Sequence, residues 1–191
     1  MVRGVLAMLS TEHQQTLLNV AKQSIAYGLE HHKALPIQTT DYDSELQEFR
    51  ASFVTLHLND NLRGCIGSLS AHQSLIENIA HNAYAAAFSD PRFGPVTTQE
   101  FEQLDYHISV LSESSPMIFS SQADLLEQIR PGIDGLILED NGHRGTFLPS
   151  VWEQLPRSAD FFDHLKQKAG FPTNYWSDTL QVSRYTVESF S

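Results

Sequence analysis

Phe53-Val54-Thr55-Leu56-His57-Leu58, then Asn59-Asp60-Asn61, then Leu62-Arg63-Gly64-Cys65-Ile66-Gly67-Ser68-Leu69 reads as a β-hairpin: two alternating runs around three turn formers. Asparagine and aspartate tolerate the left-handed backbone and bond to their own chain, which places the reversal at 59–61. The register follows from polarity. A three-residue loop pairs Leu58 with Leu62, Leu56 with Gly64 and Val54 with Ile66, so that the aliphatic side chains share one face. A two-residue loop mixes the faces, and the three-residue register is the one predicted. The other face then carries Thr55 opposite Cys65 and His57 opposite Arg63.

Outward from the hairpin, helical signals alternate with strand signals. Thr11-x-x-Gln14 reads as a capping box, and Leu17, Leu18, Ala21, Ile25 and Leu29 recur at helical spacing before Pro36. Residues 36–48 hold Asp41, Asp43, Glu45 and Glu48 and read as a solvated loop rather than a paired-carboxylate site. Ser74-x-x-Glu77 opens a second long helix with Ile76, Ile79, Ala80, Ala83 and Ala87 on one side. Its alanine-rich end predicts close packing on the sheet, and Asp90-Pro91-Arg92-Phe93-Gly94-Pro95 stops it. Thr97-x-x-Glu100 caps a short helix, 106–111 reads as a strand and 121–129 as a helix. Two further strands, 133–138 and 144–148, flank the hairpin signal Asn141-Gly142. A helix over 158–169 ends at Gly170 and Pro172, and 179–190 alternates like a strand. Hairpins and helices interleaved in this irregular order indicate an α+β fold, with no linker that cuts the chain into independent domains.

Composition narrows the function. A net charge of −11 with only 12 lysines and arginines among 191 residues disfavours nucleic acid and anionic membrane surfaces, which demand a basic face. A single cysteine excludes an internal disulfide and a cysteine-based metal cluster, and it suits a reducing compartment. The N-terminus lacks the apolar length and cleavage site of a signal peptide, and no run approaches the roughly 20 apolar residues of a membrane span. The expected location is the cytoplasm. Residues 1–9 read as an N-terminal extension, with Met8 a candidate natural start.

Cys65 is the first candidate for chemistry. Arg63 lies two residues away on the same strand face, where a guanidinium favours thiolate or holds a substrate carboxylate or phosphate. His57 is the diagonal neighbour that can accept a proton. The competing reading makes Cys65 a small buried hydrophobe beside a structural arginine, with Gly64 and Gly67 meeting a bulge or a packed helix. Asp90 and Arg92 are the second candidates, as an amide cap and an anion contact; turn chemistry and a helix-stopping ion pair account for them equally. Arg144 and His143 beside the Asn-Gly turn read as solvated decoration. The nine histidines form no metal-binding motif, and neither a P-loop nor a dinucleotide fingerprint is present.

The ordered series Phe53-Val54-Thr55-Leu56, Leu62 to Gly67, Asp90-Pro91-Arg92-Phe93 and Ile108 to Ser112 continues with Gly132-x-Asp134-Gly135-Leu136-Ile137 and Arg144-Gly145-x-Phe147-Leu148-Pro149. Lys168-Ala169-Gly170 and Trp176 complete it. The series resembles the AMMECR family, whose microbial members are called AmmeMemoRadiSam system protein A, over about residues 11–188. The resemblance implies a larger lobe of mainly antiparallel sheet packed with helices and a smaller β-containing lobe, interleaved within one domain over 1–191. It also implies a functional cleft near Leu62 to Gly67, and association with a Memo-like protein and a radical S-adenosylmethionine protein. Arg63, Gly64, Cys65, Gly67, Asp90 and Arg92 match the family motifs; His57 does not belong to them.

Two functions follow as expectations. One is a cytoplasmic enzyme acting on a small anionic molecule, with Cys65 and Arg63 catalytic and Thr55, His57, Gly64, Gly67, Asp90 and Arg92 binding the substrate. The other is a non-catalytic module that binds a partner or metabolite. Neither calls for a cofactor or a metal.

Overall fold

The computed structural model describes residues 8–191, so most of the expected extension, residues 1–7, lies outside the described residues. The chain divides into two units. One runs to Leu111 and takes back Glu188–Ser191; the other is Ser112–Val187.

In the first unit, α1 (Thr11–His31) is capped by Ser10, whose hydroxyl accepts from the His13 N–H. The cap therefore falls one residue before the expected Thr11 box. A serine hydroxyl serves the N3 amide as well as a threonine does, and Ser10 stands directly before Thr11. His32 closes the helix with φ 54. The helix buries Leu17, Val20, Ala21 and Ile25 against α2 (Leu75–Phe88) and a four-stranded sheet. That sheet runs β2 (Asn61–Gly67), β1 (Ser52–Leu58), β3 (Leu104–Leu111), β8 (Val187–Phe190), with β2 at an edge. The predicted boxes Ser74/Glu77 and Thr97/Glu100 both form, the latter opening the one-turn helix α3 (Thr98–Phe101).

The hairpin differs from the expected register at its tip. Val54 pairs with Ile66, Thr55 with Cys65 and Leu56 with Gly64, as polarity required. Beyond them, His57 pairs with Leu62 and Leu58 with Asn61, with a register shift between Leu56 and His57. The turn is the two-residue Asn59-Asp60, both left-handed at φ 51 and 62, the geometry of a tight hairpin turn. Turn chemistry thus selects a two-residue loop while face sorting requires one residue more on β2. A bulge at Arg63 satisfies both. His57 is consequently opposite Leu62, not Arg63.

The second unit has its own sheet in the order β4 (Ser115–Pro116), β7 (Gln181–Tyr185), β5 (Gly135–Asp140), β6 (His143–Phe147). Asn141 and Gly142 make the expected turn, with φ 48 and 79. Helices α4 (Gln122–Gln128) and α5 (Ser158–Lys168) supply Leu125, Phe161, Phe162 and Leu165 to its core, and Trp152 stacks on Phe161 at 3.8 Å. The predicted strand over 179–190 is two strands in two sheets. Thr186 exchanges hydrogen bonds with Ser112, its N–H to the hydroxyl and its carbonyl from the amide, and this breaks the ladder between β7 and β8. The fold is α+β, and no helix among the described residues is long and apolar enough to cross a membrane.

Candidate functional site

An edge strand exposes unpaired N–H and C=O groups, and β2 is such a strand. At Cys65 those groups are not free. The Cys65 N–H donates to Asp90 Oδ2 at 2.9 Å, and Arg92 Nη2 donates to the Cys65 carbonyl at 3.4 Å. Asp90 and Arg92 are joined to one another by Nε to Oδ1 at 3.0 Å and Nη2 to Oδ2 at 2.7 Å. The Arg92 N–H also donates to Oδ1, so the Asp-Pro-Arg turn forms around the carboxylate it presents. Together the two side chains occupy the place of a neighbouring strand. The Asp90 side chain is 2 % exposed, and its hydrogen bonds from Arg92 and from the Cys65 amide hold its carboxyl well below the usual carboxylate range.

Arg63, carried on the bulge, turns to α3. Its Nε donates to Glu100 Oε1 at 2.9 Å, and its Nη2 donates to Glu100 Oε2 and the Gly94 carbonyl. Glu100 also receives the Thr97 N–H as part of the cap. The Arg63 ion pair, with the Thr97 amide, pulls Glu100 from its ordinary 4.5 to about 2. The guanidinium carbons of Arg63 and Arg92 lie 5.8 and 5.5 Å from the centre of the Phe93 ring, in the range of cation–π attraction.

Strand alternation puts Gly64 on the helix side, where it is buried beneath the Ala86 carbonyl of α2. Cys65 faces the opposite way. There the Thr55 hydroxyl donates to Sγ at 3.2 Å, and the Phe53 ring lies over Gly67. Thr55 also pairs with His107 and His57 with Asp105, which sets the rings of His57 and His107 edge to face, 4.8 Å between centroids. His57 Nδ1 is buried without a hydrogen-bond partner among the described residues. The half-exposed thiol therefore sits on a sheet face shared with a hydroxyl and two imidazoles.

Of the residues singled out from sequence, Thr55, His57, Cys65 and Gly67 share this face. Gly64 packs behind it, and Asp90 and Arg92 brace it from the edge. Arg63 stands apart, with two of its three nitrogens committed to Glu100 and Gly94. Sequence reasoning missed Glu100, Phe93 and His107. The Thr97/Glu100 box was legible, but nothing in the local pattern indicated that Glu100 also takes Arg63. No group of three or more metal-ligating side chains occurs among the described residues.

The depressed carboxylates set a pH dependence. A carboxylate with a folded pKa below its unfolded value holds fewer protons in the folded state, so its contribution is complete above the unfolded value and is lost as pH falls through the folded one. For Glu100 that window runs from 4.5 down to about 2, and Asp90 extends it to lower pH. Urea midpoints measured through this range should fall steadily in the wild type. Glu100→Gln should start lower at neutral pH and fall less.

The AMMECR1 family model matches residues 18–190. A protein of Methanothermobacter thermautotrophicus is 35% identical over 186 residues, covering 96% of each chain. A Thermotoga maritima protein is 34% identical over 178 residues, covering 91% of this chain and 93% of its own. The crystal structure of an uncharacterized protein, PH0010, from Pyrococcus horikoshii superposes with a TM-score of 0.78 at 29% identity, covering 95% of this chain and 92% of that one.

Proposed function

We propose that this chain, which belongs to the AMMECR1 family over residues 18–190, is a cytoplasmic binding module whose ligand lies against the Cys65 face of the first sheet. One observation carries this reading. Arg63 and Arg92, the two arginines that the sequence motifs put forward to activate a thiol or hold an anion, are both paired with carboxylates of the protein. Those pairs tie down the strand that presents Cys65, so the charge serves to stiffen a surface. A rigid face with a thiol, a hydroxyl and imidazole edges suits recognition, because little conformational entropy is lost when a ligand docks. The family resemblance supplies the setting: an AmmeMemoRadiSam system in which Memo-like and radical S-adenosylmethionine proteins are the partners.

The Thr55 hydroxyl on Sγ favours a second reading. In it Cys65 is the nucleophile of an enzyme acting on a small anionic molecule. A donor aimed at sulfur stabilises thiolate, and His57 lies along the same strand face to accept a proton. Thiol kinetics separate the two. With Cys65 as a contact residue, iodoacetamide at pH 7 modifies the folded protein no faster than a free model thiol, and Cys65→Ser still complements a deletion strain. Alkylation about tenfold faster than the model thiol, together with a dead Cys65→Ser, transfers the assignment to the enzyme.

A further inference from the structure

Arg63, Arg92, Arg130, Arg144, Arg157 and Arg184 each have a carboxylate oxygen within 3.9 Å. Arg50 is the only arginine among the described residues with none. It is also the one most withdrawn from water, 5 % exposed, and its Nε and Nη1 are buried with no hydrogen-bond partner among the described residues. Arginine does not shed its proton in a protein, so it cannot escape the cost of burial by becoming neutral. An unpaired buried charge is strongly unfavourable unless a counter-charge meets it.

The surroundings are polar. Phe49 bridges Ser74, and the Leu75 N–H donates to the Glu48 carbonyl, so Arg50 enters the sheet beside the start of α2. Two residues on, Ser52 opens a buried cluster: its hydroxyl donates to Asn78, and Asn82 donates to its carbonyl. The carboxylate at this helix start, Glu77, is engaged with Ser74 in the capping box. Asp90, Glu100 and the other arginine-bound carboxylates are taken as well.

We propose that Arg50 anchors an anion-binding site at the head of β1, which takes a carboxylate or phosphate group of a small molecule. The site is separate from the Cys65 face. Arg50 precedes Thr55 by five residues, about 17 Å at 3.4 Å per residue, and is in step with the buried positions Ser52, Val54 and Leu56 rather than with Thr55 and His57. The proposal uses none of the residues of the binding face described above, so either can fail alone.

The test titrates the whole wild-type protein with inorganic phosphate and, separately, with succinate, against sodium chloride at equal ionic strength. The arginine Nε–Hε region of the NMR spectrum is followed, with the Arg50 signal assigned by its loss in Arg50→Lys. The expected result is a saturable shift of that signal and a raised thermal midpoint with at least one anion. The anion that acts names the group as phosphate or carboxylate. Arg50→Gln should weaken its binding about tenfold or more, as loss of a charge-assisted hydrogen bond does. No response of the wild type beyond the chloride control overturns the proposal, as does an equal response in Arg50→Gln. If Arg50→Gln does not fold, the wild-type titration of the assigned signal decides.

Discussion

Gly64→Ala should destabilise the first unit by more than 3 kcal/mol, by order of magnitude, or leave it unfolded at ambient temperature. Gly64 is buried in the middle of β2, and a methyl group there would overlap the Ala86 carbonyl oxygen and crowd the Ala86 carbonyl carbon. A flexible side chain can swing away from an intruding methyl. The Ala86 carbonyl in the last turn of α2 cannot, because it is part of the backbone, and that backbone is held down by the buried Ala83, Ala86 and Ala87 and by the Val96 N–H on the Ala87 carbonyl. Relief requires moving the C-terminal turn of α2 off the sheet, which loosens the buried Ala83, Ala86 and Ala87. Gly94→Ala is the control, since a Cβ there meets nothing within 4 Å. It should change stability by no more than about 0.5 kcal/mol. Urea unfolding of both variants beside the wild type checks the contrast. Equal midpoints for Gly64→Ala and the wild type would show that α2 is not seated on β2 as described.

The hairpin that carries Gly64 was legible because two independent signals, alternation and turn chemistry, converge within fifteen residues. Where they disagreed by one residue, neither alone could reveal that a bulge reconciles them, and the partner assigned to His57 was wrong for that reason. The α2 box at Ser74 and Glu77 and the small-residue seam at Ala80, Ala83 and Ala87 were equally legible, being local and periodic. The site was legible only as a set of residues. Asp90 is 25 positions from Cys65 and meets it through a backbone amide, which has no side-chain signature in sequence. Arg63 and Cys65 do share a strand, and alternation alone would keep them together. The bulge and the distant Glu100 instead draw the guanidinium to α3. Arg50 left no trace at all, because what marks it is the absence of a partner, and absence emerges only when every carboxylate has a place.

Asp90→Ala is expected to cost about 3 kcal/mol, the most of the changes to the Asp90–Arg92 brace. The carboxylate is enclosed, and it joins three elements: the Arg92 guanidinium, the Arg92 amide and the Cys65 amide. Removing it leaves the Cys65 N–H facing a gap and frees the turn that follows α2. Arg92→Ala should cost less, because that side chain is 53 % exposed and its carbonyl contact is long. Asp90→Asn lies between them: it keeps an acceptor for the Cys65 amide and forfeits the charge. This ordering, alanine at 90 worst, asparagine intermediate and alanine at 92 mildest, distinguishes a backbone brace from a surface ion pair, in which removing either partner costs the same. Amide hydrogen exchange supplies the local readout. Cys65 N–H should lose its protection in Asp90→Ala while Thr55 and Leu56, in the central strand, keep theirs. The open edge also bears on function: a loosened β2 should admit iodoacetamide to Cys65 faster than in the wild type. Should Asp90→Ala and Arg92→Ala unfold at the same urea concentration with Cys65 N–H equally protected, the brace has no energetic content. The rigidity assigned to the cysteine face would then need another source.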